Sequence, residues 1–367
     1  MTAPVRWEQT AIDGSARAGI LHTPHGQVLT PGFMPVGTRA AVKGVDVDDL
    51  AAVGAEMVLA NTFHLMLRPG AATIERIGGL HAFWGWPGPI LTDSGGYQIF
   101  SLSPRITEAG AEFRSTYDGT PVNLTPEDAI RIQEALGPDI AMVLDVCVGL
   151  PAAPGVVRTG MDLTLRWAER SLQQHQRADQ AVFGIVQGGI DPDLRGESAR
   201  AIASLGFAGF GIGGLSVGEG PTDRAIALEA ALAELPLEKP RYVMGLGDPV
   251  GVLDAVRRGA DLFDCVWPTR LARHGRVLTV DGDFNLRRAE YASDSRPLQT
   301  GCLCFACQTH HRAYLRHLLA SNELSAFRLL SIHNLDYTLG LLRDARQAIV
   351  AGGFGDFTRS ITTMRNG

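Results

Sequence analysis

The hydrophobic positions of this chain form eight short apolar runs between residues 31 and 276. Each run is too short for an ordinary helix, and amphipathic segments that begin with Pro, Asp or Gly separate the runs. Buried strands that alternate with helices are typical of a closed parallel barrel. The predicted strands are 33–36, 57–61, 89–93, 140–145, 182–187, 209–213, 242–246 and 262–266.

The intervening segments carry the signals that start helices. Asp46 is a predicted cap for a helix over 47–55, and Pro126 stands in the first turn of a helix that ends near residue 136. Further amphipathic segments predict helices over 192–205, 225–235, 249–258, 309–322 and 335–351.

Three segments depart from this alternation. Residues 5–28 alternate polar and apolar around Asp13-Gly14 and His25-Gly26, which predicts an antiparallel meander covering one end of the barrel. The third strand precedes a long excursion over 101–123, whose Tyr117-Asp118-Gly119-Thr120 stretch predicts a hairpin. Beyond residue 276 the alternation ends, and Asp281-Gly282 predicts another hairpin.

Composition and charge narrow the class of protein. Of the 367 residues, 45% are apolar and 20% charged, as in an ordinary soluble globular protein. No apolar run approaches the roughly 20 residues of a membrane span, so we expect a cytoplasmic protein without membrane contact. The net charge is −6, but residues 257–316 hold ten arginines and six acidic residues. This asymmetry predicts either a basic face that binds nucleic acid or an ordinary solvated surface.

A cysteine cluster near the C-terminus indicates a metal site. Cys302, Cys304 and Cys307 lie within six residues, and His333 follows. Three thiolates and one imidazole complete a tetrahedral Zn²⁺ site without a position for water, which favours a structural role. The alternative is a set of small buried side chains. A disulfide is disfavoured because five cysteines are odd in number and no signal peptide is recognisable.

These patterns predict an α/β fold, a (β/α)8 TIM barrel with an N-terminal antiparallel β meander and a C-terminal zinc-binding subdomain. The predicted division of the chain is 1–30 for the meander, 31–276 for the barrel, 277–340 for the zinc-binding subdomain and 341–367 for a C-terminal helix and tail.

Active sites of such barrels lie at the carboxyl ends of the strands. The predicted ends carry Asp93, Asp145, Gln187 and Asp264. Two carboxylates across a pocket can divide glycosyl transfer between a nucleophile and a proton donor, and a carboxylate beside an amide can read the donor edge of a purine. Each acid taken alone is equally compatible with a helix cap or an ion pair. Glycine pairs 95–96, 188–189 and 213–214 suit either turns or the close approach of a flat ligand.

Five motifs together resemble bacterial tRNA-guanine transglycosylase, also called queuine tRNA-ribosyltransferase. They are Asp93-Ser-Gly-Gly-Tyr-Gln98, Gly184-Ile-Val-Gln-Gly-Gly189, Gly213-Gly-Leu-Ser-Val-Gly-Glu219, Phe263-Asp-Cys-Val-Trp-Pro-Thr-Arg270 and the set of Cys302, Cys304, Cys307 and His333. The resemblance runs from about residue 31 to 341, with every motif in family order.

The resemblance implies base exchange at the wobble guanine of tRNAs with a GUN anticodon. In bacteria the family inserts 7-aminomethyl-7-deazaguanine (preQ1) in queuosine biosynthesis, works as a homodimer and holds one structural Zn²⁺ per subunit. It implies that Asp264 is the nucleophile forming a covalent ribosyl intermediate and that Asp93 is the general acid and base. The implied base-binding groups are Asp145, Gln187, the backbone of Gly214, the carbonyl of Leu215, and Tyr97 and Met244, which stack on the two faces of the base.

Phosphate contacts are predicted from the basic region. The candidates are Arg270, Arg273, Arg276, Arg287, Arg288, Arg312 and Arg316.

One departure from the family bears on the incoming base. Bacterial members commonly have Glu after the acid that ends the fourth predicted strand, whereas this chain has Val146 before the retained Cys147, and Ser216 stands where Ala is common. Exchange with queuine or preQ0 is therefore an alternative to preQ1. A non-catalytic tRNA-binding partner is disfavoured by the retained acids Asp93 and Asp264, and a metal-dependent hydrolase by the absence of a histidine pair at the strand ends.

Overall fold

A computed structural model describes residues 4–215 and 218–366. In chain order the strands are β1 (Arg6–Asp13), β2 (Ala16–Thr23), β3 (Gly26–Thr30), β4 (Gly32–Gly37), β5 (Val58–Asn61), β6 (Ile90–Asp93), β7 (Arg105–Ile106), β8 (Ala111–Arg114), β9 (Pro121–Leu124), β10 (Ile140–Met142), β11 (Ala181–Val186), β12 (Gly209–Ile212), β13 (Arg241–Val243), β14 (Leu262–Cys265), β15 (Arg276–Val277) and β16 (Phe284–Asn285).

The helices surround these strands or follow them. In chain order they are α1 (Val47–Ala52), α2 (Thr62–Leu67), α3 (Ala71–Ile77), α4 (Leu80–Trp84), α5 (Gly96–Phe100), α6 (Pro126–Leu136), α7 (Pro154–Gln174), α8 (Pro192–Ser204), α9 (Pro221–Glu234), α10 (Pro249–Arg257), α11 (Trp267–Arg273), α12 (Phe305–Thr309), α13 (Arg312–Ala320), α14 (Leu324–Val350) and α15 (Phe354–Asn366), with a 3₁₀ helix at Ala289–Ser293.

Eight parallel strands close into a barrel in the order β4, β5, β6, β10, β11, β12, β13 and β14, and β14 pairs with β4. All eight predicted strands are present, so the predicted (β/α)8 barrel is confirmed. Their side chains are mostly buried because a parallel barrel is covered by helices outside and filled by side chains inside. The fourth strand ends at Met142, earlier than expected, and the chain reaches Asp145 as a loop.

The N-terminal meander β1–β3 is antiparallel, with Asp13 opposite Ala16 and Thr23 opposite Gly26 at its two turns. It covers the amino ends of the barrel strands. Buried Arg17 forms an ion pair with Asp261, which directly precedes β14, and its guanidinium lies 3.9 Å from the centre of the Trp7 ring. The expectation that the meander covers one end of the barrel is therefore correct.

Local sequence explains how several helices begin. Asp46 and Asp49 form a reciprocal capping box at α1, and Thr125 and Asp128 do the same at α6. Asp248 caps α10 through the backbone N–H of Gly251. These contacts satisfy N–H groups that have no partner within the helix, and they orient each helix after its strand.

The C-terminal helices differ from the sequence expectation. The predicted helix over 309–322 is divided between α12 and α13, and the last long helix begins at Leu324 instead of residue 335. The extra turns are stable because Leu330 and Ile332 are buried in the main apolar core and His333 is buried beside the cysteines. Helix α14 thus crosses the proposed boundary at residue 340, and the division of the chain into four segments stays a prediction.

Both predicted hairpins outside the meander are present. Strands β7, β8 and β9 form a small antiparallel sheet within the 101–123 excursion, and β8 and β9 pair through Arg114 and Pro121. Strands β15 and β16 pair through Val277 and Phe284 around Asp281-Gly282. Within the described residues, no helix combines the length and the apolar character that crossing a membrane requires.

Candidate active site and metal centre

The residues predicted for the catalytic and base-binding groups lie at the carboxyl end of the barrel. They are Asp93 at the end of β6, Asp145 after β10, Gln187 after β11, Gly214 and Leu215 after β12, Met244 after β13 and Asp264 within β14. Because the strands are parallel and closed, these ends surround one opening.

Asp264 is held by two donors on one of its oxygens. The hydroxyl of Tyr242 donates to Oδ1 at 2.5 Å, and the backbone N–H of Gly245 donates to the same atom at 2.7 Å. Burial raises the pKa of Asp264 above its ordinary value. Burial and the nearby charge of Asp264 also raise the pKa of Tyr242, so the phenol stays protonated and keeps its donor role.

Asp93 is the second partly buried carboxyl group of the opening. The side-chain amide of Asn61 donates to Oδ2, and the backbone N–H of Thr62 donates to Oδ1 at 3.1 Å. Burial, together with the negative charge of Asp264, raises the pKa of Asp93 to about 7. A carboxyl group with this pKa can donate or accept a proton near neutral pH.

Asp145 and Gln187 form a polar pair in the wall of the pocket. The Gln187 amide donates to Asp145 Oδ2 at 2.6 Å, and burial raises the pKa of Asp145 to about 6. Two glycines permit this arrangement. A Cβ atom on Gly96 would lie 2.3 Å from Asp145 Oδ1, and one on Gly214 would lie 2.2 Å from Gln187 Oε1. Gly214 also has φ +64°, which L side chains rarely adopt.

The apolar side chains differ in exposure. Tyr97, in the first turn of α5, is 58% exposed, whereas Leu215 is buried and Met244 is partly buried after β13. Tyr97 is therefore accessible to a ligand from solvent. Val146 packs against the apolar cluster that includes Trp167, and its Cγ1 would lie 3.5 Å from a Cβ on Gly160. The predicted variant position Ser216 lies outside the described residues.

Arg195 holds in place the two loops of the pocket that follow β11 and β12. Its fully buried guanidinium donates to the carbonyls of Gly189 at 2.7 Å, Val186 at 3.0 Å and Gly213 at 2.8 Å, and it reaches Gly214 at 3.3 Å. Burial lowers the pKa of Arg195 to about 10, which still leaves it charged at neutral pH. One side chain of α8 thus fixes the loops after β11 and β12.

Sequence reasoning missed three residues of this site, namely Asn61, Tyr242 and Arg195. Asn61 ends the second predicted strand, so the strand-end rule contained the signal for it. Tyr242 begins the seventh predicted strand, and nothing in its spacing indicates that its hydroxyl reaches across to β14. Arg195 gave only a weak signal, a charged residue within an amphipathic helix.

The predicted phosphate-binding arginines lie on or near the segment that follows β14. Arg270, Arg276, Arg287 and Arg288 are exposed and Arg273 is partly buried. Arg276 lies 3.5 Å from Asp283, and Arg288 lies 3.6 Å from Glu290. Arg312 has a different role from the predicted one. Its side chain is 15% exposed, pairs with Asp294 and stacks over the Phe284 ring, so it stabilises this segment internally.

The cysteine cluster and His333 come together as predicted. His333 Nδ1 lies 3.7 Å from Cys302 Sγ, 3.6 Å from Cys304 Sγ and 3.4 Å from Cys307 Sγ. These separations fit a tetrahedral ion with metal–sulfur distances of about 2.3 Å and a metal–nitrogen distance of about 2.0 Å. The four residues can therefore hold a metal ion such as Zn²⁺, with no fifth protein group needed.

Surrounding contacts prepare the cluster for a metal. His333 Nε2 bonds to the carbonyl of Leu278 at 2.9 Å, which assigns the proton to Nε2 and leaves Nδ1 as the ligand atom. Hydrogen bonds among the three thiols lower the pKa of Cys307 and raise that of Cys304, so without a metal the cluster favours a thiolate at Cys307 and a thiol at Cys304. Asp336, which the sequence did not indicate, lies 3.4 Å from Cys302 Sγ.

The sequence of this chain is similar to a known protein family and to several of its members. The family model described as Queuine tRNA-ribosyltransferase matches residues 13–366. The chain is similar to three proteins named Queuine tRNA-ribosyltransferase. That of Moorella thermoacetica is 52% identical over 92% of this chain and 91% of the relative, that of Nitratidesulfovibrio vulgaris is 50% identical over 99% and 98%, and that of a strain of Thermus thermophilus is 48% identical over 99% and 95%.

Proposed function

The chain belongs to the queuine tRNA-ribosyltransferase family of pentosyltransferases, and from this premise we propose that it exchanges the wobble guanine of GUN-anticodon tRNAs for preQ1. The observation that carries the proposal is the pair Asp93 and Asp264. Both carboxyl groups are partly buried at one opening, and none of the ion pairs within the described residues includes either of them.

The first step forms a covalent ribosyl-enzyme ester. Tyr242 and Gly245 both bind Asp264 Oδ1, and no described residue donates to Oδ2, so Oδ2 is the atom that attacks C1′ of the nucleotide. The C1′–N9 bond breaks as the C1′–O bond forms, and neutral Asp93 gives its proton to the departing guanine. The pKa of Asp93, about 7, supports this role because a large fraction of the group is protonated at neutral pH.

The second step transfers the ribose to the incoming base. Asp93, now ionised, accepts the N9 proton of the incoming 7-deazaguanine while N9 attacks C1′ and the Asp264 carboxylate leaves. An ester keeps the glycosyl group activated, so this route needs neither a nucleotide cofactor nor cleavage of the RNA chain.

Recognition of the base is assigned mainly to the part of the pocket formed by the loops after β10, β11 and β12. Asp145 accepts from the donor edge of guanine, Gln187 and the Gly214 backbone bind its polar edge, and Tyr97 and Met244 cover its faces. The base must leave its stack to reach this depth, which is the usual strategy of enzymes that act on a base. Val146 packs into an apolar cluster, so the ammonium of preQ1 is assigned to the Leu215 carbonyl instead of a carboxylate at position 146.

The remaining parts of the proposal concern assembly. Cys302, Cys304, Cys307 and His333 hold one Zn²⁺, which joins the segment after β16 to α14 and does not enter the reaction. Arg270, Arg273, Arg276, Arg287 and Arg288 neutralise tRNA phosphates beside the opening. The enzyme acts as a homodimer in the cytoplasm, where its tRNA substrate is found.

The test is incorporation of radiolabelled guanine into an unmodified GUN-anticodon tRNA, with preQ1, preQ0 and queuine as unlabelled competitors. A tRNA that differs only by adenine at position 34 is the matched control, and it should incorporate no label. We expect preQ1 to suppress incorporation of labelled guanine at a lower concentration than preQ0 or queuine.

The competitors separate the alternatives. Stronger suppression by queuine or preQ0 would retain the exchange reaction and change the incoming base. Absence of incorporation by folded, zinc-loaded protein that still binds the tRNA would favour the non-catalytic binding partner and reject the proposed reaction.

The zinc assignment has its own test. Replacing Cys304 by Ser removes one of four ligands, so we expect zinc content to fall well below one ion per chain and the unfolding temperature to fall with it. Zinc content is measured by mass spectrometry after dialysis, and Cys147→Ser, which alters a buried cysteine outside the cluster, is the control. Full zinc content in Cys304→Ser would rule out the cluster as the metal site.

A further inference from the structure

A second group of metal-ligand side chains lies at the amino end of the barrel, far along the chain from the cysteine cluster. His25 is in the turn between β2 and β3, His81 is in α4, and Asp139 directly precedes β10. One ligand atom from each residue lies within 4.8 Å of the others. We propose that His25, His81 and Asp139 form a site for a divalent transition-metal ion such as Zn²⁺.

The distances suit coordination of one ion. His25 Nδ1 lies 2.8 Å from Asp139 Oδ1, and His81 Nε2 lies 3.2 Å from Asp139 Oδ2. Ligand atoms of a tetrahedral ion with bonds of about 2.0–2.1 Å are separated by about 3.3 Å. The two imidazole rings are stacked with centroids 3.6 Å apart and an interplanar angle of 16°, so both nitrogens face the carboxylate from the same side. Because the ring planes are nearly parallel, one ring must rotate out of the stack before both lone pairs can point to one ion, and the exposed His25 ring has room for that rotation.

The carboxylate is fixed before any ion arrives. Asp139 is fully buried and accepts backbone N–H bonds from Ile90 at 2.8 Å and from His25 at 3.1 Å. These two bonds leave on each oxygen the lone pair that now accepts from an imidazole. An ion replaces the ring protons in that position, and the backbone bonds that orient the carboxylate are kept.

The two rings can adopt the tautomers that a metal requires. Within residues 4–215 and 218–366, no hydrogen bond engages His25 Nε2 or His81 Nδ1, so each ring can move its proton to the far nitrogen. The His25 side chain is 42% exposed and that of His81 15% exposed, which gives an ion and a coordinating water access from solvent. Two imidazoles and one carboxylate favour Zn²⁺, Co²⁺ or Ni²⁺ over Mg²⁺ or Ca²⁺.

An ion at this site would connect three segments that are distant in sequence. It would join the meander turn to α4 and to the barrel strand β10. Binding to the folded state only would raise the unfolding temperature as the ion concentration rises. The site is independent of the base-exchange proposal because it lies at the opposite end of the barrel from Asp93 and Asp264.

The experiment adds Co²⁺ to zinc-loaded enzyme and follows stoichiometry and visible absorption. We expect one additional equivalent per chain, with ligand-field bands but without the thiolate-to-cobalt charge-transfer band that exchange into the cysteine cluster would produce. Zn²⁺ should displace this Co²⁺. His25→Gln should lose the additional equivalent and its metal-dependent rise in unfolding temperature, because the residue lies in an exposed turn where the fold tolerates glutamine.

Two results would overturn the proposal. One is the absence of any equivalent beyond the zinc of the cysteine cluster. The other is unchanged Co²⁺ binding in His25→Gln. His22→Gln, which alters another histidine of the same meander, is the matched control and should retain the additional equivalent.

Discussion

At the amino end of the barrel, Asp139 accepts four hydrogen bonds, two from backbone N–H groups and two from imidazoles. At the carboxyl end, Asp93 and Asp264 each accept fewer. Burial opposes ionisation at both ends. At Asp139 the bonds from His81 and Ile90 outweigh burial and lower the pKa, whereas burial dominates at Asp93 and raises the pKa to about 7.

This difference shows how one fold assigns separate tasks to the same functional group. A carboxylate surrounded by donors is stable as an anion and fixes neighbouring segments, as Asp139 does for the meander turn. A carboxyl group that accepts fewer hydrogen bonds is more costly to ionise when buried, so its pKa rises and it can exchange protons near neutral pH. Arg195 illustrates the same division, because its charge is used on backbone carbonyls behind the pocket and not on the pocket acids.

The largest expected effect is on the proposed nucleophile. Asp264→Asn removes the attacking oxygen anion while the shape of the side chain is kept. We expect guanine exchange to fall by at least about 10⁴-fold, as for nucleophile removal in other enzymes that form covalent intermediates. The RNA–protein adduct trapped by denaturation should disappear, and tRNA binding measured by gel shift should persist. An adduct of wild-type yield would remove Asp264 from the nucleophile role.

The same substitution at the two ends should have unequal effects on stability. Asp139→Asn replaces an acceptor of four bonds by an amide that turns an N–H toward other donors, and we expect a loss of about 3 kcal/mol. Asp93→Asn should lose far less at pH 8. The raised pKa of Asp93 means that its contribution to stability is present below about pH 4 and is lost as pH rises through about 7.

Denaturant unfolding of both variants at pH 5 and pH 8 checks this pair of expectations. The difference between Asp93→Asn and wild type should shift in favour of the variant as pH rises, because the variant no longer buries an ionised carboxylate. Equal losses at both positions at pH 8 would show that the two ends do not differ in how they hold a buried charge.

Much of the fold and of the candidate site could be predicted from the sequence alone. The eight apolar runs predicted the barrel, and the closed parallel order then required Asp93, Asp145 and Asp264 to meet at one end. Tight cysteine spacing predicted the cluster with His333. Such inferences succeed because strand direction and short-range spacing are properties of the sequence pattern.

The contacts that set the chemistry were not accessible in the same way. Tyr242 reaches Asp264 across neighbouring strands, and His25, His81 and Asp139 belong to three distant segments that meet only when the meander packs under the barrel. The apolar pattern predicted the start of α14 too late because the polar residues Ser331, His333 and Asn334 interrupt that pattern. All three are nevertheless buried, and His333 and Asn334 form hydrogen bonds inside the protein. Buried polar groups are therefore where pattern reasoning failed.

A smaller effect is expected from replacing Asn61, whose side-chain amide donates a hydrogen bond to Asp93. Asn61→Ala removes a hydrogen bond that lowers the pKa of Asp93, so that pKa should rise further. Because the proposed release of guanine needs neutral Asp93, the alkaline limb of the single-turnover rate should move to higher pH, by about 0.5–1 unit. Asn123→Ala, at an exposed position of β9, should leave the limb unchanged. A limb that stays near pH 7 in Asn61→Ala would assign it to another group.

The smallest effect concerns the outer surface around the carboxyl end. Arg287 and Arg288 are exposed, so reversing both charges to Glu should weaken tRNA binding more at low salt than at high salt and reduce the slope of log K against log salt by about 2. The matched control reverses Arg6 and Arg200, exposed residues outside the predicted tRNA-binding segment, with the same change in net charge. If the control weakened binding equally, net charge and not a localised phosphate contact would explain the loss. The result would then contradict tRNA binding by Arg287 and Arg288 beside the carboxyl end of the barrel.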